Sequence, residues 1–205
     1  MADWQRITAA GADFEFKALQ VGTFENVVYL VRDPDTKEGY VIDAGWEPDT
    51  IANEVGDTKV KAILITHGHN DHHDELDALK LKLGVPSAIG ELDQDLLHSP
   101  PDQLLVDRQE LPFGKNVLRA IHTPGHTPGS TCFTVGNFLF SGDTLFPGGV
   151  GNTKGRTGHF FTIIRSVEYR LLSLPDETVI HPGHGKPSTI GAERPSLPEW
   201  KERGW

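Results

Sequence analysis

The chain has 205 residues, of which 37% are hydrophobic and 23% charged, and these values fit one soluble globular domain over residues 1–205. Acidic residues outnumber basic ones by 29 to 19, and the absence of a lysine or arginine run argues against a nucleic-acid partner. No apolar run approaches the roughly 18 residues of a membrane span, and the N-terminus lacks the apolar core of a signal peptide. With a single cysteine, Cys132, the sequence predicts a cytoplasmic protein without disulfides that acts on a small molecule.

Eight segments are typical of β-strands, because they are rich in β-branched or aromatic residues and many are bounded by Gly, Asn or Pro. These segments are 14–21, 26–31, 39–43, 61–66, 116–121, 131–135, 137–141 and 177–181. Apolar residues at helical spacing predict helices at 49–55, 72–83, 91–98 and 160–173, and a short helix opened by a proline within 195–205. The interleaving predicts one α/β domain, in which Cys132 is a buried residue of a strand.

The stretch LITHGHNDHHDE, residues 64–75, places four histidines and three carboxylates directly after an apolar strand. His67 and His69 alternate, so in an extended loop both imidazoles point the same way. Asp71 and His72 are adjacent and are expected to begin a helix, where neighbouring side chains diverge. These two side chains can therefore reach different ions, or one ion from two sides.

Three more metal-capable residues follow strands in the same manner. A strand and a short turn, often containing glycine, precede His126, Asp143 and His184. Ligands of α/β proteins gather beyond the carboxyl ends of strands, so four such strand ends form a pattern. Three histidines suit a catalytic metal with an open position, and a carboxylate can bridge two cations. The pattern predicts two divalent ions, one held by His67, His69 and His126, the other by Asp71, His72 and His184, with Asp143 between them.

The remaining histidines are expected not to bind these ions. His73 is expected to face solvent or to support the ligands, and His98 to end a polar helix. His122 and His181 precede ligand turns and could support them at most, while His159 opens the long helix. The acidic residues that follow His73 are expected to favour a helix N-terminus.

Four motifs carry a family resemblance: THGHNDHH (66–73), TPGHTPGS (123–130), FSGDTLF (140–146) and PGHG (182–185). Together they resemble the metallo-β-lactamase-fold hydrolase superfamily, and within it the glyoxalase II-like branch. The resemblance implies an αββα four-layer sandwich, in which two mixed sheets lie between outer helices and the metal site lies at one edge of the sheets. It also implies the assignment of ligands given above.

The chain also departs from its closest family patterns. β-Lactamases of this fold commonly have a cysteine where this chain has Asp143, so β-lactam hydrolysis is not expected. The segment PGGVGNTKGR (147–156) replaces the usual glyoxalase II sequence, and the family's C-terminal helical domain has no room in 205 residues, so glutathione specificity does not carry over. We expect Asn152, Lys154 and Arg156 to contact a polar or anionic group of the substrate, although a solvated glycine-rich loop is an equal alternative.

The resulting hypothesis is a binuclear metal-dependent hydrolase in which a metal-bridging hydroxide cleaves a small thioester or related ester. Asp71 and Asp143 are the predicted catalytic carboxylates, the first by orienting the hydroxide and the second by bridging the ions. Zinc is the default metal, and iron or manganese also suits the ligands. Open alternatives are a lactonase, an iron-dependent persulfide dioxygenase and a non-enzymatic metal-binding module, while a phosphodiesterase or ribonuclease fits the acidic composition less well. A homo-oligomer is left open, and a membrane partner is not expected.

Overall fold

The computed structural model describes residues 3–153 and 158–204. Within these residues two β-sheets pack face to face, and helices cover the outer face of each sheet. Both sheets contain parallel and antiparallel neighbours, which confirms the expected αββα sandwich with two mixed sheets. No helix in the described part of the chain is long and apolar enough to cross a membrane.

The first sheet holds seven strands in sequence order. They are β1 (Gln5–Ala9), β2 (Ala12–Val21), β3 (Asn26–Arg32), β4 (Glu38–Ile42), β5 (Lys59–Ile65), β6 (Ser87–Gly90) and β7 (Gln103–Leu105). The strands β1 to β4 pair antiparallel, whereas β4 to β7 pair parallel. Parallel neighbours need crossover connections, and helices α1 (Pro48–Val55) and α2 (Leu76–Leu83) supply the first two.

The second sheet holds six strands, and one neighbouring pair among them, Phe138–Gly142 with Val179–Pro182, is parallel. Its strands are β8 (Glu110–Phe113), β9 (Asn116–His122), β10 (Thr131–Val135), β11 (Phe138–Gly142), β14 (Val179–Pro182) and β15 (Ser188–Thr189). A two-stranded ribbon is formed by β12 (Leu145–Phe146) and β13 (Gly149–Val150). The helices are α3 (Phe160–Ser166), which continues as a π-helical turn (Val167–Leu171), α4 (Ile190–Glu193) and α5 (Leu197–Arg203).

Three apolar clusters define the four layers. Aromatic side chains that include Phe14, Phe113 and Phe140 fill the space between the two sheets. Ile51 of α1 and Leu79 of α2 pack with aliphatic residues of the first sheet's outer face. The outer face of the second sheet packs against a third cluster from α3, the π-helical turn and α5. Strands covered on both faces lose the alternation of exposed strands, which explains the continuous apolar sequence of β3.

All eight expected strands are present, with bounds that differ by at most two residues. The helix expected at 72–83 begins only at Leu76, because Asn70–His72 forms a separate 3-10 turn. The segment 91–98 contains a 3-10 helix, Glu91–Leu96, instead of an α-helix. The C-terminal helix expected within 195–205 is confirmed as α5, with a proline in its first turn.

Candidate metal centre

The predicted ligands converge where strands of both sheets end. His67 and His69 lie in the loop after β5, and His184 follows β14 of the other sheet. His126 lies in the turn between β9 and β10, while Asp143 directly follows β11. Both sheets therefore contribute predicted ligands to one edge of the sandwich, as the positions after strand ends predict.

The first group contains three histidines from two separate loops. The ligand atoms of His67, His69 and His126 all lie within 4.8 Å of one another. His126 Nε2 is 2.8 Å from His69 Nδ1 and 3.2 Å from His67 Nε2. Lone pairs this close repel one another unless a proton or a cation lies among them. Three imidazoles are a donor set that suits zinc and related ions.

The second group contains two histidines and one carboxylate. His184 Nε2 is 3.2 Å from His72 Nε2 and 3.2 Å from Asp71 Oδ2. Asn26 holds Asp71 in place, since its amide donates to the Asp71 carbonyl at 2.9 Å and to Oδ2 at 3.1 Å. The same asparagine forms a β-bridge with His184, so β3 positions both ligands.

Asp143 lies between the two groups. Its Oδ2 is 3.6 Å from Nε2 of both His126 and His184, and its Oδ1 is 3.5 Å from His72 Nε2. Among the residues that the structure describes, buried Asp143 Oδ1 has no hydrogen-bond partner. A buried carboxylate oxygen without a partner is costly, so these residues fit a bound cation. Gly183 keeps this space open, because a Cβ there would lie 2.4 Å from Asp143 Oδ1.

Backbone and carboxylate acceptors fix how the imidazoles face the centre. Three of the histidines can donate Nδ1–H to an oxygen, which leaves the Nε2 lone pair directed at the other ligands. The pairs are His72 with Asp43 Oδ2 at 2.9 Å, His126 with the Asn152 carbonyl at 2.8 Å, and His184 with the Phe24 carbonyl at 2.8 Å. These bonds direct the Nε2 atoms toward one common space, as ligands of a cation would be.

Asp43 is a functional residue that the motifs did not identify. It follows β4, is buried, and has a positive φ of 67°. Its carboxylate accepts from the Thr66 backbone at 2.8 Å, from Thr66 Oγ1 at 3.0 Å and from His72. Thr66 Oγ1 lies 3.1 Å from His67 Nδ1. The Asp43 carboxylate therefore orients predicted ligands of both groups. Its position directly after a strand, in VIDAG (41–45), is the sequence signal that could have indicated its role.

Asp93 is a second such residue, in the 3-10 helix Glu91–Leu96. It is fully buried and accepts from the Gly68 backbone at 2.9 Å, the Gly129 backbone at 2.6 Å and Thr127 Oγ1 at 2.5 Å. Gly68 separates His67 from His69, and Thr127 follows His126. Asp93 thus ties together the two loops that form the first group, and no local sequence signal points to it.

Charges within the second group favour a cation. Burial lowers the pKa of His72, but Asp143 and Asp43 outweigh it and raise that pKa to about 9. Burial raises the pKa of Asp71, but its bond with His184 and the charge of His72 hold that pKa well below the usual range. Burial and the neighbouring histidines hold the pKa of His67 well below its usual value. A metal ion in the second group would replace the proton on His72.

The remaining sequence expectations have mixed outcomes. Asn152 has an exposed side chain, and its carbonyl accepts from His126; Lys154 and Arg156 lie outside the described residues. His73 does not face solvent, since only 1% of it is exposed. Cys132 is buried as expected, and burial raises its pKa to about 11, so it is no nucleophile.

A family model described as the metallo-β-lactamase superfamily matches residues 21–184. The chain belongs to this superfamily. It is 34% identical over 202 residues to the hydroxyacylglutathione hydrolase GloC of Haemophilus influenzae, covering 88% of this chain and 95% of that protein. This relative agrees with the resemblance to the glyoxalase II-like branch. The family match covers most of the chain.

Three solved structures share the fold. The BLEG-1 B3 metallo-β-lactamase is 28% identical with a TM-score of 0.83, covering 90% of this chain and 99% of that one. ETHE1 from Myxococcus xanthus is 27% identical with a TM-score of 0.81, covering 91% and 84%. TTHA1623, solved in a di-iron-bound form, is 31% identical with a TM-score of 0.76, covering 87% and 96%. The last shows that iron also occurs in this fold.

Proposed function

We propose that the protein is a binuclear metal-dependent hydrolase that cleaves a small thioester. The observation that carries the proposal is the convergence of five imidazoles and two carboxylates in two groups that share Asp143. Ions bound by these groups would supply Lewis-acid activation of water and stabilise negative charge on the substrate carbonyl oxygen. Zinc is our proposed metal, with iron or manganese as alternatives, and the relative GloC supports the thioester class.

The chain's own acids favour a thioester over other acyl substrates. Asp43 and Asp93 are buried and occupied by hydrogen bonds that position the ligand loops. Asp71 is held in its ionised form, so it can orient a water molecule by accepting its hydrogen but cannot donate a proton. A thiol has a pKa of about 8.5 and can leave as thiolate without a general acid. Alcohol and amine leaving groups need a proton, which makes lactones and β-lactams weaker candidates.

Two alternatives compete with thioester hydrolysis. BLEG-1 makes β-lactam hydrolysis a necessary control, even though Asp143 stands where many β-lactamases have cysteine. A persulfide dioxygenase is the second alternative, and that activity would use one iron bound by two histidines and one aspartate. The second group, Asp71, His72 and His184, supports two ions instead of one. The excess of acidic residues, 29 against 19 basic, supports a small-molecule substrate over nucleic acid.

The test combines metal analysis with a substrate panel. The purified protein is loaded with zinc, iron or manganese and assayed with an acyl thioester, a lactone, a β-lactam and a phosphodiester, and for oxygen consumption with a thiol persulfide. We expect thioester turnover at two metals per chain, and a loss of about a hundredfold in kcat for Asp71→Asn. Asp95→Asn is the control, because Asp95 is an exposed carboxylate outside both groups. Absence of thioester turnover at full metal content would overturn the proposal.

A further inference from the structure

A third cluster of metal-capable side chains lies beside the loop that carries His67, His69 and His72. Ligand atoms of His73, Asp74 and His98 all lie within 4.8 Å of one another. His98 Nε2 is 2.8 Å from Asp74 Oδ1, and the centroids of the His73 and His98 rings are 5.1 Å apart. Two imidazoles and a carboxylate are a donor set found in metal sites with an open position. None of the three belongs to the two groups that share Asp143.

The burial of His73 is the observation that points to a ligand. Only 1% of His73 is exposed, and its Nε2 has no hydrogen-bond partner among the residues that the structure describes. A buried imidazole nitrogen without a partner is costly, and packing alone would favour an apolar side chain there. The side chains of Asp74 and His98 are 31% and 54% exposed, so an ion can reach the cluster from solvent.

The cluster connects two segments that support the catalytic centre. His73 and Asp74 follow the ligand His72, whereas His98 follows the 3-10 helix that contains Asp93. The end of that helix packs on the ligand loop, because a Cβ on Gly68 would lie 2.5 Å from Leu96 Cβ. An ion held by both segments would therefore fix the helix against the loop of the first group.

We propose that His73, Asp74 and His98 form a further metal site for a divalent transition ion such as zinc. Imidazole and carboxylate ligands favour zinc, cobalt, nickel or copper over magnesium or calcium. Its role is structural, since it joins the segment after His72 to the 3-10 helix. The site goes beyond the proposed hydrolase activity, because it does not depend on which substrate is cleaved or whether any is.

The zinc content of the purified protein tests the site without any substrate. Wild type and His98→Ala are equilibrated with Zn²⁺, freed of unbound ion, and analysed for zinc per chain. We expect His98→Ala to hold one zinc fewer. Asp95→Asn, which changes an exposed carboxylate outside the clusters found among the described residues, is expected to match wild type. Equal zinc in wild type and His98→Ala would overturn the proposal, as would equal losses in both variants.

Thermal unfolding gives a second, independent measurement. Raising Zn²⁺ to 100 times the dissociation constant of this site should increase the Tm of metal-loaded wild type by about 5–10 °C. The same addition should leave the Tm of His98→Ala unchanged and should still raise the Tm of Asp95→Asn. An equal rise with Mg²⁺ in wild type, or an equal zinc effect in His98→Ala, would contradict the assignment.

Discussion

Asp93→Asn provides the sharpest test of how the ligand loops are held. The Asp93 carboxylate accepts from two backbone N–H groups, of Gly68 and Gly129, through different oxygens. An amide has only one oxygen, so in either orientation its NH₂ group faces one of these N–H groups. The variant therefore loses at least one hydrogen bond to a charged acceptor, worth about 1.5–3 kcal/mol, and leaves a buried donor unpaired.

We expect the free energy of unfolding of Asp93→Asn to fall by about 2–4 kcal/mol, which most domains survive. Urea denaturation followed by tryptophan fluorescence measures this change. Because Gly68 lies between two ligands and Thr127 follows a third, metal affinity should also fall by about 10–100-fold. Asp95→Asn, in the same 3-10 helix but exposed, should change stability by less than about 0.5 kcal/mol. If the two variants unfold at the same urea concentration and bind metal equally, the argument for Asp93 is refuted.

Three further predictions address the metal space, the thiol and a buried histidine. Gly183→Ala should lose most of its metal, because the new Cβ would lie 2.4 Å from Asp143 Oδ1. A Cβ on Gly185 would have no atom within 4 Å, so Gly185→Ala should keep its metal. The positive φ of Gly185 should lower the free energy of unfolding of that control by about 1 kcal/mol. Cys132 should react with a thiol reagent only after unfolding, since it is buried and burial raises its pKa to about 11; fast reaction of the native protein would contradict this. Burial lowers the pKa of His181 to about 4 from 6.5, so the unfolded chain binds the proton first and stability falls as pH drops below 6.5. Between pH 7 and 5 the urea-derived unfolding free energy of wild type should fall by about 2 kcal/mol more than that of His181→Phe, and parallel pH profiles would refute the reasoning.

The convergence of the seven predicted ligands could be anticipated because each follows a strong local signal. His67 and Asp143 lie within two residues of the end of an apolar strand, while His126 and His184 lie in turns fixed by proline and glycine. The apolar segments before these ligands can be recognised as strands from their sequences. Residues that follow the carboxyl ends of such strands lie at one edge of the sheets. That the seven residues bind metal remains a prediction, as does a single domain.

Other features depend on contacts that local sequence does not contain. Asp93 accepts from residues 25 and 36 positions away, so no spacing rule connects it to the ligands. The strands β6, β7 and β8 have three or four residues each, too few for a periodic pattern. A continuous helix from residue 72 would place His73 toward solvent or beside the ligands. The 3-10 turn that precedes α2 instead leaves His73 buried.

The division of ligands between the sheets links metal binding to folding. In the first group His67 and His69 follow a strand of the first sheet, whereas His126 lies in a turn of the second. The second group is divided in the same way, since His184 comes from the second sheet. Neither sheet alone can complete a group, so an ion binds the packed sandwich and not the unfolded chain. Each ion at 100 times its dissociation constant would stabilise the packing of the two sheets by about 2.7 kcal/mol, a large share of the stability of an ordinary domain.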